Sequence, residues 1–133
     1  MANAIYPRYK EALLTGDSNI SLTTGTVKIA LVDTGTYTYN GNNQFYANLS
    51  GVTANSAALT SKTVANGYFK SSNAEFTAVS GNQSEALIIY IDTGVTTTSR
   101  LVAYLDTSVT GLPVTPNGGD ITVVANASGW FLL

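Results

Sequence analysis

From residue 26 onward, apolar residues recur at every second position. In 26–33 (TVKIALVD), Val27, Ile29 and Leu31 fall on one side and Lys28, Ala30 and Val32 on the other. That is the period of a β-strand with one strongly apolar face. Residues 36–39 (TYTY) alternate again and run into Asn40-Gly41, a turn pair suited to positive φ. Residues 45–49 read as a short strand or a loop, and the small, polar 50–57 (SGVTANSA) as a loop. Segments 58–64 and 67–70 read as a strand pair, or one broken strand, around Asn66-Gly67. Residues 74–79 alternate weakly before the Ser80-Gly81-Asn82 turn. The most apolar segment, 85–92 (EALIIYID), carries apolar residues on both faces, the mark of a central strand covered twice. Residues 100–106 (RLVAYLD) follow at hairpin distance. The turn 115–119 (TPNGG) precedes the last two strands, 120–125 and 129–133.

Only 7–15 (PRYKEALLT) has helical spacing, with Pro7 suited to the first turn, Tyr9 and Leu13 four residues apart, and Gly16 as a stop. A helix this short must dock on something. The pattern therefore predicts an all-β fold, a β-sandwich or jelly-roll-like body of seven to nine short antiparallel strands with one short N-terminal helix. One domain spans 1–133, with 1–16 as a helical arm and 26–133 as the β body.

Composition narrows the function. The 133 residues include no cysteine and no histidine, and only 11% are charged, against about 25% in an average protein. Disulfides, Cys/His zinc sites and histidine- or cysteine-based catalysis are excluded. Six basic residues and a net charge of −2 give no footprint for nucleic acid or anionic membrane. Arg8, Lys10, Lys62 and Lys70 form no run. The N-terminus lacks the apolar core of a signal peptide, and the longest apolar run, 86–91, is far short of a membrane helix. The chain therefore reads as soluble and made in the cytosol. Polarity comes largely from serine, asparagine and 19 threonines, which makes a neutral surface suited to contact.

Three strands end alike: ALVDTG (30–35), IYIDTG (89–94) and AYLDTS (103–108). Asp-Thr-Gly after apolar residues is how aspartic proteases present a catalytic carboxylate, so Asp33 and Asp92 are a candidate dyad. The competing reading is a strand-end turn in which the Asp caps a backbone N–H. The third copy, the short chain and the β-patterned C-terminus favour the turn. Asp92, Asp106 and Asp120, all at strand ends, form a candidate cation cluster. Tyr37, Tyr39, Tyr68, Tyr90 and Tyr104 form a candidate carbohydrate-stacking surface. No residue set assigns catalysis, a cofactor or a metal.

What remains is protein contact. Strands apolar on both faces need a second cover, which the helix supplies in part and a partner subunit supplies for the rest. The candidate interface residues are Tyr6, Tyr9, Leu13, Trp130 and Phe131.

The stretch 1–34 (MANAIYPRYKEALLTGD…TVKIALVDT) resembles the start of a group of small tailed-bacteriophage head proteins. AALTSKTVANGYF (57–69), AEFTAVSG (74–81), EALIIYIDTG (85–94), TSRLVAYLDT (98–107) and GLPVTPNGGDITV (111–123) are similar to the same group, so the likeness covers most of the chain. Members of the group end in a lysine-containing strand after a D-N-G turn. Here NASGWFLL stands instead, and the last strand is expected to be built differently. The resemblance implies a capsid cement (decoration) protein: a jelly-roll-like module on the virion surface that binds the major capsid protein and neighbouring copies of itself. A tail, connector or fibre role is the alternative it implies.

Overall fold

The computed structural model describes residues 3–107 and 109–133. Among them are ten β-strands and one α-helix, so the all-β expectation holds with slightly more strands than the pattern predicts. The strands are β1 (Ala4–Ile5), β2 (Thr26–Val32), β3 (Val52–Asn55), β4 (Thr63–Ala65), β5 (Tyr68–Lys70), β6 (Ala74–Phe76), β7 (Ala86–Asp92), β8 (Arg100–Leu105), β9 (Ile121–Val123) and β10 (Phe131–Leu132). The helix α1 is Pro7–Thr15. One five-stranded antiparallel sheet, ordered β1-β8-β7-β2-β3, carries the core. A three-stranded sheet (β10-β5-β4) and a two-stranded one (β6-β9) join it.

β7 is the central strand, as its two apolar faces predict, and β7 and β8 are buried along nearly their whole length. Tyr104 of β8 stands opposite Ile88, so it shares a face with Ile88 and Tyr90. The 33–49 segment lays tyrosines over that face. Tyr39 stacks on Tyr104 at 5.3 Å, Tyr37 lies 6.4 Å from it, and Tyr46 sits 4.8 Å from Tyr90. Leu87, Ile89 and Ile91 point the other way, and Leu59, Phe69, Phe76, Val79 and Val123 belong to the same buried cluster. Both covers come from this chain itself; the central sheet needs no partner to close it.

The helix matches its prediction. Gly16 ends it at φ 66°, its N–H turned back onto the carbonyls of Ala12 and Leu13. The segment before it is no free arm. β1 pairs with β8, and Tyr6 continues the ladder by donating its N–H to the Val102 carbonyl at 2.9 Å. Residues 44–46 pair with the rest of that edge, through Leu101 N–H to Gln44 O (3.0 Å) and Tyr46 N–H to Ser99 O (2.8 Å). The edge of β8, which would otherwise invite aggregation, is thus covered end to end. Met1 and Ala2 of the expected arm lie outside the described residues.

Several local readings change. Residues 36–39 form no strand: a turn over 34–36, closed by Tyr37 N–H donating to Asp33 O at 3.0 Å, leads into irregular backbone, and their alternation serves tyrosine cover and not a ladder. Residues 52–55, expected in a loop, are the edge strand β3 on β2. Small residues suffice at a sheet edge, where long-range pairing outweighs weak propensity. The Asn40-Gly41 turn forms, but without positive φ; the Asn40 side chain holds it by accepting the Asn42 N–H at 2.9 Å.

Candidate protein-docking groove

The Asp-Thr-Gly motifs are turns. Asp33 Oδ1 accepts the Gly35 N–H at 2.8 Å, and Asp92 Oδ1 accepts the Gly94 N–H at 2.9 Å. β2 and β7 are antiparallel, with Val32 opposite Ala86 and Thr26 opposite Asp92. Asp33 and Asp92 therefore sit at opposite ends of the sheet, about 20 Å apart at 3.3 Å per residue. They cannot share a proton as a dyad must. Each is instead held below the usual carboxylate range, Asp33 first by the Gly35 N–H, Asp92 first by the Lys28 ammonium at 2.7 Å. Asp106 accepts the Thr107 hydroxyl at 2.9 Å; Ser108, the last residue of the third motif, lies outside the described residues. Asp106 and Asp120 belong to the Asp33 end, so the expected cation cluster with Asp92 does not assemble.

The stacking surface does not assemble either. Tyr37, Tyr90 and Tyr104 are buried and Tyr39 is partly buried; of the five only Tyr68 is exposed. Burial raises the phenol pKa of all the buried ones, that of Tyr104 to about 12.

Of the predicted interface residues, three lie inside the fold. Tyr6 is 0% exposed, and its hydroxyl is 2.8 Å from that of Tyr37, which donates to Asn43 Oδ1 at 2.7 Å. Tyr9 is buried, donates its hydroxyl to Ile20 O at 2.9 Å, and has its pKa pushed up to about 12 by burial. Trp130 is buried, its indole N–H donating to Ser71 Oγ at 2.7 Å. Tyr6 has no surface to offer a partner, and Trp130 keeps 8% of its own. Leu13 and Phe131 are half-buried.

Leu13 and Phe131 nevertheless meet, with the edge of Tyr9, in an apolar groove of about 280 Å³ between α1 and the β4-β5-β10 sheet. Ile20, Leu22, Val64, Phe69 and Leu133 complete its apolar lining, beside Ser21, Thr23 and Gly67. Local sequence builds each wall. Asn66 (φ 51°) and Gly67 (φ 82°) both take positive φ, the two-residue turn that closes a tight hairpin from β4 to β5. β10 then pairs with β5, Phe131 opposite Phe69, their rings 5.7 Å apart. Gly129 permits that approach: at φ 114°, a Cβ there would stand 2.7 Å from the Phe69 carbonyl oxygen. Arg100 pins the wall that carries Ile20. Only 3% exposed, it donates to the carbonyls of Ser18 (3.0 Å) and Asn19 (3.3 Å), pairs with Asp17 at 3.4 Å, and stacks over Phe45.

Val64 and Leu133 of the groove lining are each more than half exposed, and Leu14, next to Leu13 on α1, is 88% exposed. Val64 and Ile20 escaped sequence reasoning because neither lies in a long apolar run. The detectable signal was the Asn66-Gly67 hairpin, which projects Val64 toward the helix.

No helix among the described residues is long and apolar enough to cross a membrane. No family model matches the chain, and no curated protein matches it either.

Proposed function

We propose that the chain is a virion structural protein, a capsid cement protein that docks on the head shell of the major capsid protein and ties its subunits together. The observation that carries this reading is the apolar groove and its exposed rim. The central sheet is closed on both faces by the chain itself, so the fold does not require Leu14, Val64 and Leu133 to be where they are. An exposed apolar patch with no role in closing the core is the ordinary mark of a protein contact. Each of these side chains gains about 1 kcal/mol or more on burial of its remaining surface, and many copies on a shell multiply a modest gain. The likeness of most of the chain to small phage head proteins supports the same reading, as does a surface with few charges to desolvate.

The test is quantitative mass spectrometry of purified particles from the encoding phage. Copies in the hundreds support a shell protein; about six or twelve, the counts of cyclic connectors and tails, replace cement with that role. Absence from the particles overturns the virion reading. On emptied heads, Leu14→Lys with Val64→Lys, folded by circular dichroism, should reduce occupancy at least about tenfold, the equivalent of one or two lost apolar contacts.

A further inference from the structure

A second cleft, of about 200 Å³, is lined by residues 3–5, Leu105 and residues 130–132. It brings together β1, the outermost strand of the five-stranded sheet, and β10, the outermost strand of the three-stranded sheet. A cavity of about 310 Å³ adjoins it, sharing Asn3, Leu105 and Trp130. No charged side chain lines either space among the described residues. The cleft is apolar apart from Asn3, and that side chain is already spent. Its Oδ1 accepts the N–H groups of Asp106 (2.7 Å) and Thr107 (2.9 Å), and its Nδ2 donates to Thr107 O at 3.0 Å.

Both strands leave backbone groups open here. Tyr6 donates its N–H to Val102 O, and Ala4 stands opposite Tyr104, so residues 4 and 6 turn their polar groups toward β8. The N–H and C=O of Ile5, between them, point away from it. On β10, Leu133 donates its N–H to Gly67 O at 2.9 Å and Phe131 stands opposite Phe69. By the same alternation the N–H and C=O of Leu132 point away from β5. Ile5 and Leu132 both line the cleft, and no turn, loop or side chain among the described residues bonds these four groups. Neither strand carries the charge or the proline that ordinarily blunts a sheet edge.

We infer that this cleft binds an extended, uncharged segment of a partner polypeptide as an added β-strand, its backbone meeting Ile5 and Leu132 and its alternate apolar side chains lying against Leu105 and Trp130. The open backbone groups select that occupant. A lipid chain or other aliphatic ligand would fill the cleft but bury two N–H and two C=O groups unpaired, which is costly. A strand presents an N–H and a C=O along each edge at every second residue, and its side chains fall on one face with the same spacing. A charged segment would lose water without gaining a counter-charge from these walls. Leu13, Val64 and Leu133 of the docking groove do not line this cleft, and the inference does not rest on the virion reading.

The test is selection from a bead-displayed library of random peptides of about six residues, the length of an ordinary strand, against the full chain. Retained peptides should be uncharged, with apolar residues at alternate positions. Made synthetically, they should shift the emission of Trp130, the only tryptophan, and slow amide hydrogen exchange at Ile5 and Leu132. Leu132→Pro and Ile5→Pro each delete one outward N–H and leave the ladder bonds in place. Each variant, folded by circular dichroism, should bind the peptides at least about fivefold more weakly, the loss expected for one hydrogen bond. Leu132→Val keeps the N–H and should bind within about twofold. The exchange readout needs no variant, so a proline that disturbs folding does not stall the test. A library that yields no binder, binders that are charged or patternless, undiminished binding to the folded proline variants, or unchanged exchange at Ile5 and Leu132 overturns the inference. Protection of those two amides that grows with protein concentration in the absence of peptide gives the cleft to a second copy and overturns it too. Peptide binding by a chain that is absent from particles upholds this inference while the cement reading falls; full occupancy on heads without peptide binding does the reverse.

Discussion

Replacing Tyr6 by alanine decides whether the N-terminal segment is an appendage or part of the core. Tyr6 is fully buried, its ring is 5.2 Å from that of Tyr39, and its hydroxyl meets that of Tyr37. Truncating a buried aromatic to alanine costs about 3–5 kcal/mol. The lost hydroxyl contact adds only about 1 kcal/mol, because Tyr37 keeps Asn43 as a partner and no polar atom is orphaned. We expect a loss of about 4–6 kcal/mol for Tyr6→Ala and about 1 kcal/mol for Tyr6→Phe. Against a total stability of about 5–15 kcal/mol, the alanine variant is left near the edge of folding. The assay is urea unfolding followed by the fluorescence of Trp130, the only tryptophan. With a slope of about 2 kcal/mol per molar, the midpoint should fall by about 2–3 M. Leu14→Ala, at an exposed position of the adjoining helix, should stay within about 0.5 kcal/mol and serves as the control. A Tyr6→Ala chain within about 1 kcal/mol of the unaltered one would mean that this segment does not lie on the sheet, and the burial argument would fail.

Alkali should unfold the protein. Tyr6, Tyr9, Tyr37, Tyr90 and Tyr104 ionise above their ordinary value of 10.0 in the fold because burial penalises the phenolate, so the unfolded chain binds fewer protons above that value. Stability is then intact below pH 10 and falls as pH climbs toward about 12, where Tyr9 and Tyr104 titrate; phenolate absorbance should rise together with loss of circular dichroism, and simple independent titration would contradict this. Gly129→Ala should cost at least about 2 kcal/mol by urea titration, since the new Cβ meets the Phe69 carbonyl, whereas Gly94→Ala, at φ 86° with open space around it, should cost about 1 kcal/mol. Asp92 should titrate below 3.8 by carboxyl carbon NMR and move up toward that value in Lys28→Gln, which removes the charge that holds it down; an unmoved titration would show that the ion pair is not formed in solution.

Short-range pattern accounts for much of the molecule. The alternation in 26–33, 85–92 and 100–106 places β2, β7 and β8, and the double apolarity of 85–92 puts β7 at the centre. Pro7 and Gly16 bracket α1, Asn66-Gly67 makes the hairpin turn, and Asp33 and Asp92 cap the turns that follow their strands. These features depend on residues within a few positions of one another. Other features needed contacts between residues from about 20 to 100 positions apart. Val52–Asn55 becomes a strand only because β2 offers an edge, and Thr36–Tyr39 alternates without a ladder because its tyrosines are wanted on Tyr6 and Tyr104. Tyr6 looks like a surface residue of an arm until β8 is seen beside it. Antiparallel register sends Asp33 and Asp92 to opposite ends of one sheet, which dissolves the dyad that their matching motifs suggest. The groove, too, exists only once α1, the hairpin and β10 converge. Alternation tells each side chain which face it occupies; what lies above that face is settled by segments far along the chain, and that is where burial, charge separation and the docking surface come from.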